Sequence, residues 1–145
     1  MTARQNQERL AETLRSWQRI ENRGIAQTAE IMDKTTNPFI RLVMEMIQRD
    51  SATHHRVQQF ILDSLEKEAV TFSVEDLEQV WDALQSHLES EKKSSELAAA
   101  AQKALAGGKD AVQKYLLEYL AADEKKHDKL LEDLAMVKLG MYKSA

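Results

Sequence analysis

Leu120-Ala121-Ala122-Asp123-Glu124-Lys125-Lys126-His127-Asp128-Lys129-Leu130-Leu131 sets a glutamate and a histidine three residues apart inside an apolar helical pattern. Positions i and i+3 share a face of an α-helix. Leu116, Leu120, Glu124, His127, Leu131 and Leu134 continue one stripe by steps of three and four, the spacing of a core-facing line. An ionised carboxylate on that line is costly unless it is paired or bound to a cation. The stretch therefore calls for a partner group. A metal ion is the sharpest candidate, and a buried, hydrogen-bonded Glu–His pair is the plain alternative.

The rest of the chain is built to supply helices around this one. Its 145 residues contain one Pro, four Gly and no Cys, and Ala, Leu, Glu, Gln and Lys dominate, which favours an all-α fold. The length suits a single domain, residues 1–145. A formal net charge of −4 with both signs interspersed leaves no basic footprint for nucleic acid. Without Cys there is no disulfide, thiolate zinc site or Fe–S centre. The opening Met1-Thr2-Ala3-Arg4-Gln5-Asn6-Gln7-Glu8-Arg9 has no apolar signal-peptide core, and no run approaches the roughly 18 apolar residues of a membrane span. The expectation is a cytoplasmic protein with no membrane or nucleic-acid partner.

Apolar periodicity gives four long segments. The first, about 5–34, carries the line Leu10, Leu14, Trp17, Glu21, Ile25, Thr28, Ile31. Asn37 and Pro38 then supply a helix cap and a first helical residue. The second, about 38–66, carries Ile40, Val43, Ile47, Asp50, His54, Val57, Ile61, Leu65. Ser73, followed by Glu75 and Asp76, opens the third, whose line is Leu77, Trp81, Leu84, Leu88, Glu91, Ser95, Ala98, Leu105. Gly107-Gly108 ends it, and Asp110 caps the fourth. Two antiparallel hairpins result, about 5–66 and 73–142. Trp17 and Trp81 are read as packing residues.

The spacings across the turns repeat. If the first turn centres near residue 36, Glu21 and Ser51 lie about 15 positions to either side, with His54 one turn beyond Ser51. If the second centres on Gly107-Gly108, Glu91 and Glu124 lie about 16 positions to either side, with His127 one turn beyond. Each hairpin thus sets an acid from its first helix opposite a His-bearing turn of its second.

This pattern, with Ile20-Glu21-Asn22 and Asn37-Pro38 in the first hairpin and Glu91-Lys92 and Asp123-Glu124-Lys125-Lys126-His127 in the second, resembles the ferritin-like carboxylate-bridged di-iron proteins. It is closest to the rubrerythrin-like branch, in which two helices each give a Glu and two each give Glu-x-x-His. The resemblance covers nearly the whole chain. It implies a four-helix ferritin-like bundle, a di-iron or iron/manganese centre, and oxidation of Fe(II) or reduction of peroxide or oxygen with an electron donor that the sequence does not name. It assigns Glu21, His54, Glu91, Glu124 and His127 to ligand positions. Ser51 stands where the family has a bridging Glu, and the chain has no Cys-bearing rubredoxin module.

Because a serine hydroxyl is a weak neutral ligand, the expected site is asymmetric. Glu91, Glu124 and His127 should hold metal more tightly than Glu21 and His54. Asp50, four before His54 and on its face, could stand in for the missing acid. His87, four before Glu91, could be an extra ligand or a partner to one. The stripe selects His54 as the inward histidine and leaves His55 at the surface. Oxygen and imidazole donors suit iron or manganese better than soft metals. The alternative function is a non-enzymatic structural or interaction protein with a degenerate site.

Self-association is also expected. Phe39, Ile40, Leu42, Val43, Met44, Met46 and Ile47 cover an arc of roughly 200° on one helix, wider than one bundle core uses. The joint at about 66–73 reaches at most about 27 Å, against helices of roughly 42 Å. A homodimer, with the hairpins swapped between chains, meets both constraints.

Overall fold

The computed structural model describes the backbone of residues 1–144 and the side chains of residues 1–137; Ala145, the end of the expected domain, lies outside the described residues. Four helices follow one another: α1, Ala3–Asp33; α2, Pro38–Glu66; α3, Val74–Ala104; and α4, Ala111–Ser144. No strand occurs among the described residues. The fold is all-α, and α1 packs on α2 and α3 on α4 as two hairpins. They fall into two compact units, Met1–Val70 and Thr71–Ala145. No described helix is long and apolar enough to cross a membrane.

Local chemistry sets the helix ends. Free N–H groups at a helix start need acceptors. Thr2 Oγ1 accepts from Gln5 N at 3.1 Å while the Gln5 side chain accepts from Thr2 N at 2.9 Å. Asn37 Oδ1 takes Phe39 N and Ile40 N at 2.9 and 3.1 Å. Ser73 and Asp76 exchange a reciprocal pair of bonds at 2.7 and 3.2 Å, and Asp110 Oδ1 accepts from Gln113 N at 3.1 Å. Gly107 has a φ of +83° just beyond α3, a conformation that other residues resist. The first turn is tied by Arg41, whose guanidinium donates to the carbonyls of Met32 and Thr35. A cation over the last carbonyls of α1 also complements its dipole.

In the first hairpin the seam is narrower and differently rotated than the apolar pattern predicts. From α1 the buried residues are Ala11, Leu14, Gln18, Glu21 and Thr28, and from α2 they are Gln58 and Leu62. Leu10, Trp17 and Ile31 are exposed, Trp17 by 51%. Two helices in contact cover only one line on each; a residue such as Trp17, about 100° around from Gln18, stays uncovered. The α2 line shifts by one residue in the same way. Ser51, His55, Gln58 and Leu62 are more covered than His54, Val57 and Ile61. The apolar core is Ala11, Leu14 and Leu62, with Leu65 packed against it. Gln18 bridges the helices by donating to Gln59 Oε1 at 3.0 Å and the His55 carbonyl at 3.3 Å, and Gln48 donates to the Ile25 carbonyl at 3.3 Å. Arg15 pairs with Glu66 at the open end.

In the second hairpin the expected α3 line is the covered one. Leu77 is buried, and Trp81, Leu84, Leu88, Glu91, Ser95, Ala98 and Leu105 are half-buried. On α4, Leu116, Glu124, His127, Leu131 and Leu134 are half-buried as expected, whereas Leu120 is 49% exposed. Leu77 is the one buried apolar side chain described in this unit.

Candidate metal centre

Glu91 projects from α3, and Glu124 and His127 from one turn of α4. Both helices are unbroken here, so the i, i+3 spacing sets Glu124 and His127 on a single face. One ligand atom from each of the three lies within 4.8 Å of the others. His127 Nδ1 is 3.4 Å from Glu91 Oε2, and His87 Nε2 is 3.0 Å from Glu91 Oε1. The Glu91 side chain is 13% exposed, against 44% for His127 and 59% for His87. His87, Glu91, His127, Leu130 and Leu131 line a cavity of about 240 Å³.

Two carboxyl groups this close disfavour each other's charged form unless something positive lies between them. A proton is one solution. Its bond to Glu91 is the main reason the Glu124 carboxyl is held above the ordinary glutamate range, with burial adding to the rise and the Ser94 hydroxyl opposing it. Glu91 is lowered, chiefly by the same bond to Glu124, against its burial and with help from His127 and His87. As carboxylates, however, both groups only accept. Oε2 of Glu91 and Oε2 of Glu124 are buried and lack a hydrogen-bond partner. Enclosed acceptors without donors, beside an imidazole, suit a cation that takes oxygen and nitrogen ligands.

The first hairpin gives a smaller arrangement. Glu21 is 8% exposed, and its Oε1 is 3.3 Å from His54 Nδ1. His54 reaches it from the edge of the seam, with a side chain 57% exposed, and His55 is the half-buried member of the pair; this reverses their expected placement because α2 is rotated by one residue. Glu21 lies across from His54. Ser51 lies one turn along, its Oγ 3.5 Å from where a Cβ on Gly24 would stand. No further His, Asp or Glu joins Glu21 and His54 in a ligand-spaced group among the described residues. Asp50 is half-buried and stays outside such a group.

The structure thus gathers Glu91, Glu124 and His127, sets His87 on Glu91, and holds Glu21 and His54 as a two-residue pair. The sequence reading missed Ser94, which bonds to Glu124, and Asp128, whose Oδ2 accepts from Ser95 Oγ at 3.0 Å. The signal was present: Ser94 and Ser95 follow Glu91 by one turn, and Asp128 follows Glu124 by one. Comparison with known proteins finds no family model, no curated protein and no solved structure that matches the chain.

Proposed function

We propose that this protein binds iron or manganese through Glu91, Glu124 and His127 and uses the ion for redox chemistry with oxygen or peroxide. The observation that carries this reading is the contact of two carboxyl groups whose enclosed Oε2 atoms have no donor, one helical turn from an imidazole. Two carboxylates and a neutral imidazole form a hard, mixed donor set that suits these metals. When bound, the ion supplies one-electron chemistry, with Fe(II) as the reductant and oxygen or peroxide as the oxidant. The chain's own groups bind and orient. Ser94 holds the Glu124 carboxyl, and His87 holds Glu91 through the oxygen that does not face His127, in the manner of groups that steer metal ligands.

A second reading has its own observation in favour. Ser51 removes the acid that the ferritin-like pattern requires in the first hairpin, and a protonated Glu124 satisfies the Glu91 contact without metal. The protein would then be a non-enzymatic helical scaffold. Metal analysis after loading with Fe(II) or Mn(II) separates the two. Retained ion that Glu124→Ala/His127→Ala abolishes supports the first reading, and equal content in both proteins supports the second.

A further inference from the structure

We propose that the ligand group of the second hairpin is completed by the same group from a second copy of this chain, so that a pair of cations lies across a two-fold interface; this rests on the metal-binding reading above. A count of donors points to this arrangement. A dinuclear carboxylate centre in a four-helix bundle takes a Glu from each of two helices and Glu-x-x-His from each of the other two. The second hairpin holds one Glu and one Glu-x-x-His, Glu91 with Glu124 and His127, which is half of that set without a gap. The first hairpin cannot supply the other half. It offers Glu21 and His54 but has Ser51 in place of the acid, and that serine is turned against Gly24. Two copies of the second hairpin give four carboxylates, enough to neutralise two divalent cations; a pairing with the first hairpin leaves three.

Placement and surface agree with the count. Glu91 and Glu124 lie well inside helices Val74–Ala104 and Ala111–Ser144. A two-fold axis through the group would therefore overlay two hairpins along much of their length, and such an interface is self-complementary. Leu130, which lines the cavity beside His87, Glu91 and His127, is 63% exposed, and Leu120, one turn before Glu124, is 49% exposed. Among the described residues of this unit Leu77 is the one fully buried apolar side chain, and Trp81, Leu84, Leu88, Leu131 and Leu134 are half-buried. Helices of this kind take their stability from packing an apolar face, and Leu120 and Leu130 leave the ligand-bearing side of α4 open to a partner.

The test uses the full chain loaded with Mn(II). Metal content is measured together with sedimentation over a range of concentrations and with the Mn(II) EPR spectrum, which separates an exchange-coupled pair from isolated ions. The expected result is a dimer with coupled ions, whose loading survives Glu21→Ala/His54→Ala unchanged and is lost in Glu124→Ala/His127→Ala. Leu130→Gln, at a position 63% exposed, should weaken the dimer and the coupled signal together. Loss of ions in Glu21→Ala/His54→Ala would overturn the proposal in favour of a site shared with a first hairpin, of the same chain or of a swapped partner. A monomer that keeps its ions, or a dimer whose ions are uncoupled, would overturn it as well. Undiminished loading in Glu124→Ala/His127→Ala would instead remove the metal-binding reading itself, and this inference with it.

Discussion

Glu91 and Glu124 meet across α3 and α4 with the Oε2 atom of each enclosed and outside hydrogen-bonding geometry, so a positive charge held between the two side chains is favoured. A proton and a metal ion would compete for that position. Because metal ligands must be deprotonated to bind, the competition depends on pH.

Removing the α4 ligands should therefore remove the ion. Glu124→Ala combined with His127→Ala is expected to cut bound iron or manganese at least tenfold under identical loading, a loss equivalent to roughly 1.4 kcal/mol or more of binding free energy. Elemental analysis of the purified proteins checks it. Loading should also raise the unfolding temperature of the native chain and leave the double variant unmoved, since only a ligand that binds the folded state stabilises it.

The metal-free protein should respond to pH in a definite direction. Glu124 is raised in the fold, so its proton favours the folded state below that raised value and the benefit disappears as pH rises through it. Glu91 is lowered and acts in the opposite sense, its contribution disappearing as pH falls through its own value. Between the ordinary glutamate range and the raised Glu124 value, the departing proton leaves two facing charges. Thermal unfolding in chelator should show stability declining across that window, and saturating Mn(II) should abolish the decline. A flat profile in both conditions would contradict the shared-proton account.

Ser51→Glu should add a carboxylate one turn from the Glu21–His54 pair and increase the ion content of the first hairpin. Gly24 faces this position, and its missing Cβ leaves space of about one methyl group beside Ser51 Oγ. Asp50→Ala should leave ion content unchanged, because Asp50 lies outside the ligand-spaced group. Anomalous diffraction from Mn-loaded crystals of both variants would locate the ions, and a drop in Asp50→Ala would identify that residue as a ligand.

The first hairpin's seam can be tested directly. Leu62 is 2% exposed and packs with Ala11 and Leu14; Leu62→Ala should cost about 2–4 kcal/mol. Leu10→Ala, at a position 43% exposed, should cost well under half of that. Denaturant unfolding of the two variants would reveal a seam in the wrong place if Leu10 proved the more sensitive.

The sequence made the helices legible because their ends carry local signals. Asn37-Pro38, Ser73 with Asp76, and Gly107 act within a few residues of themselves, and the structure uses each as its chemistry suggests. Glu91, Glu124 and His127 were legible because one helical turn and one turn-centred register are enough to align them. The first hairpin was harder to read. Its apolar residues fill so wide an arc that two adjacent lines on α2 compete, and the seam is made by polar Gln18, Glu21, Thr28 and Gln58, which hydrophobic periodicity does not weigh. The relative burial of His54 and His55 is reversed for that reason, although His54 is still the one that reaches Glu21. Hydrogen bonds from Ser94 and Ser95 depend on side-chain rotamers, which spacing does not fix.

Gly107 turns the chain between the helix that carries Glu91 and the helix that carries Glu124 and His127. A cation held by all three would act as a rivet, closing a loop of roughly 33 residues and restricting the unfolded chain as any such clip does. In a hairpin whose described residues fully bury one apolar side chain, Leu77, that restriction would separate two fates for the polypeptide. A filled chain would keep its helix amides shielded from exchange and its turn closed to proteases, and an emptied one would open more readily. The abundance of the protein would then follow the supply of its ion with no dedicated sensor, and hydrogen exchange at α3 and α4 with and without Mn(II) would display the difference.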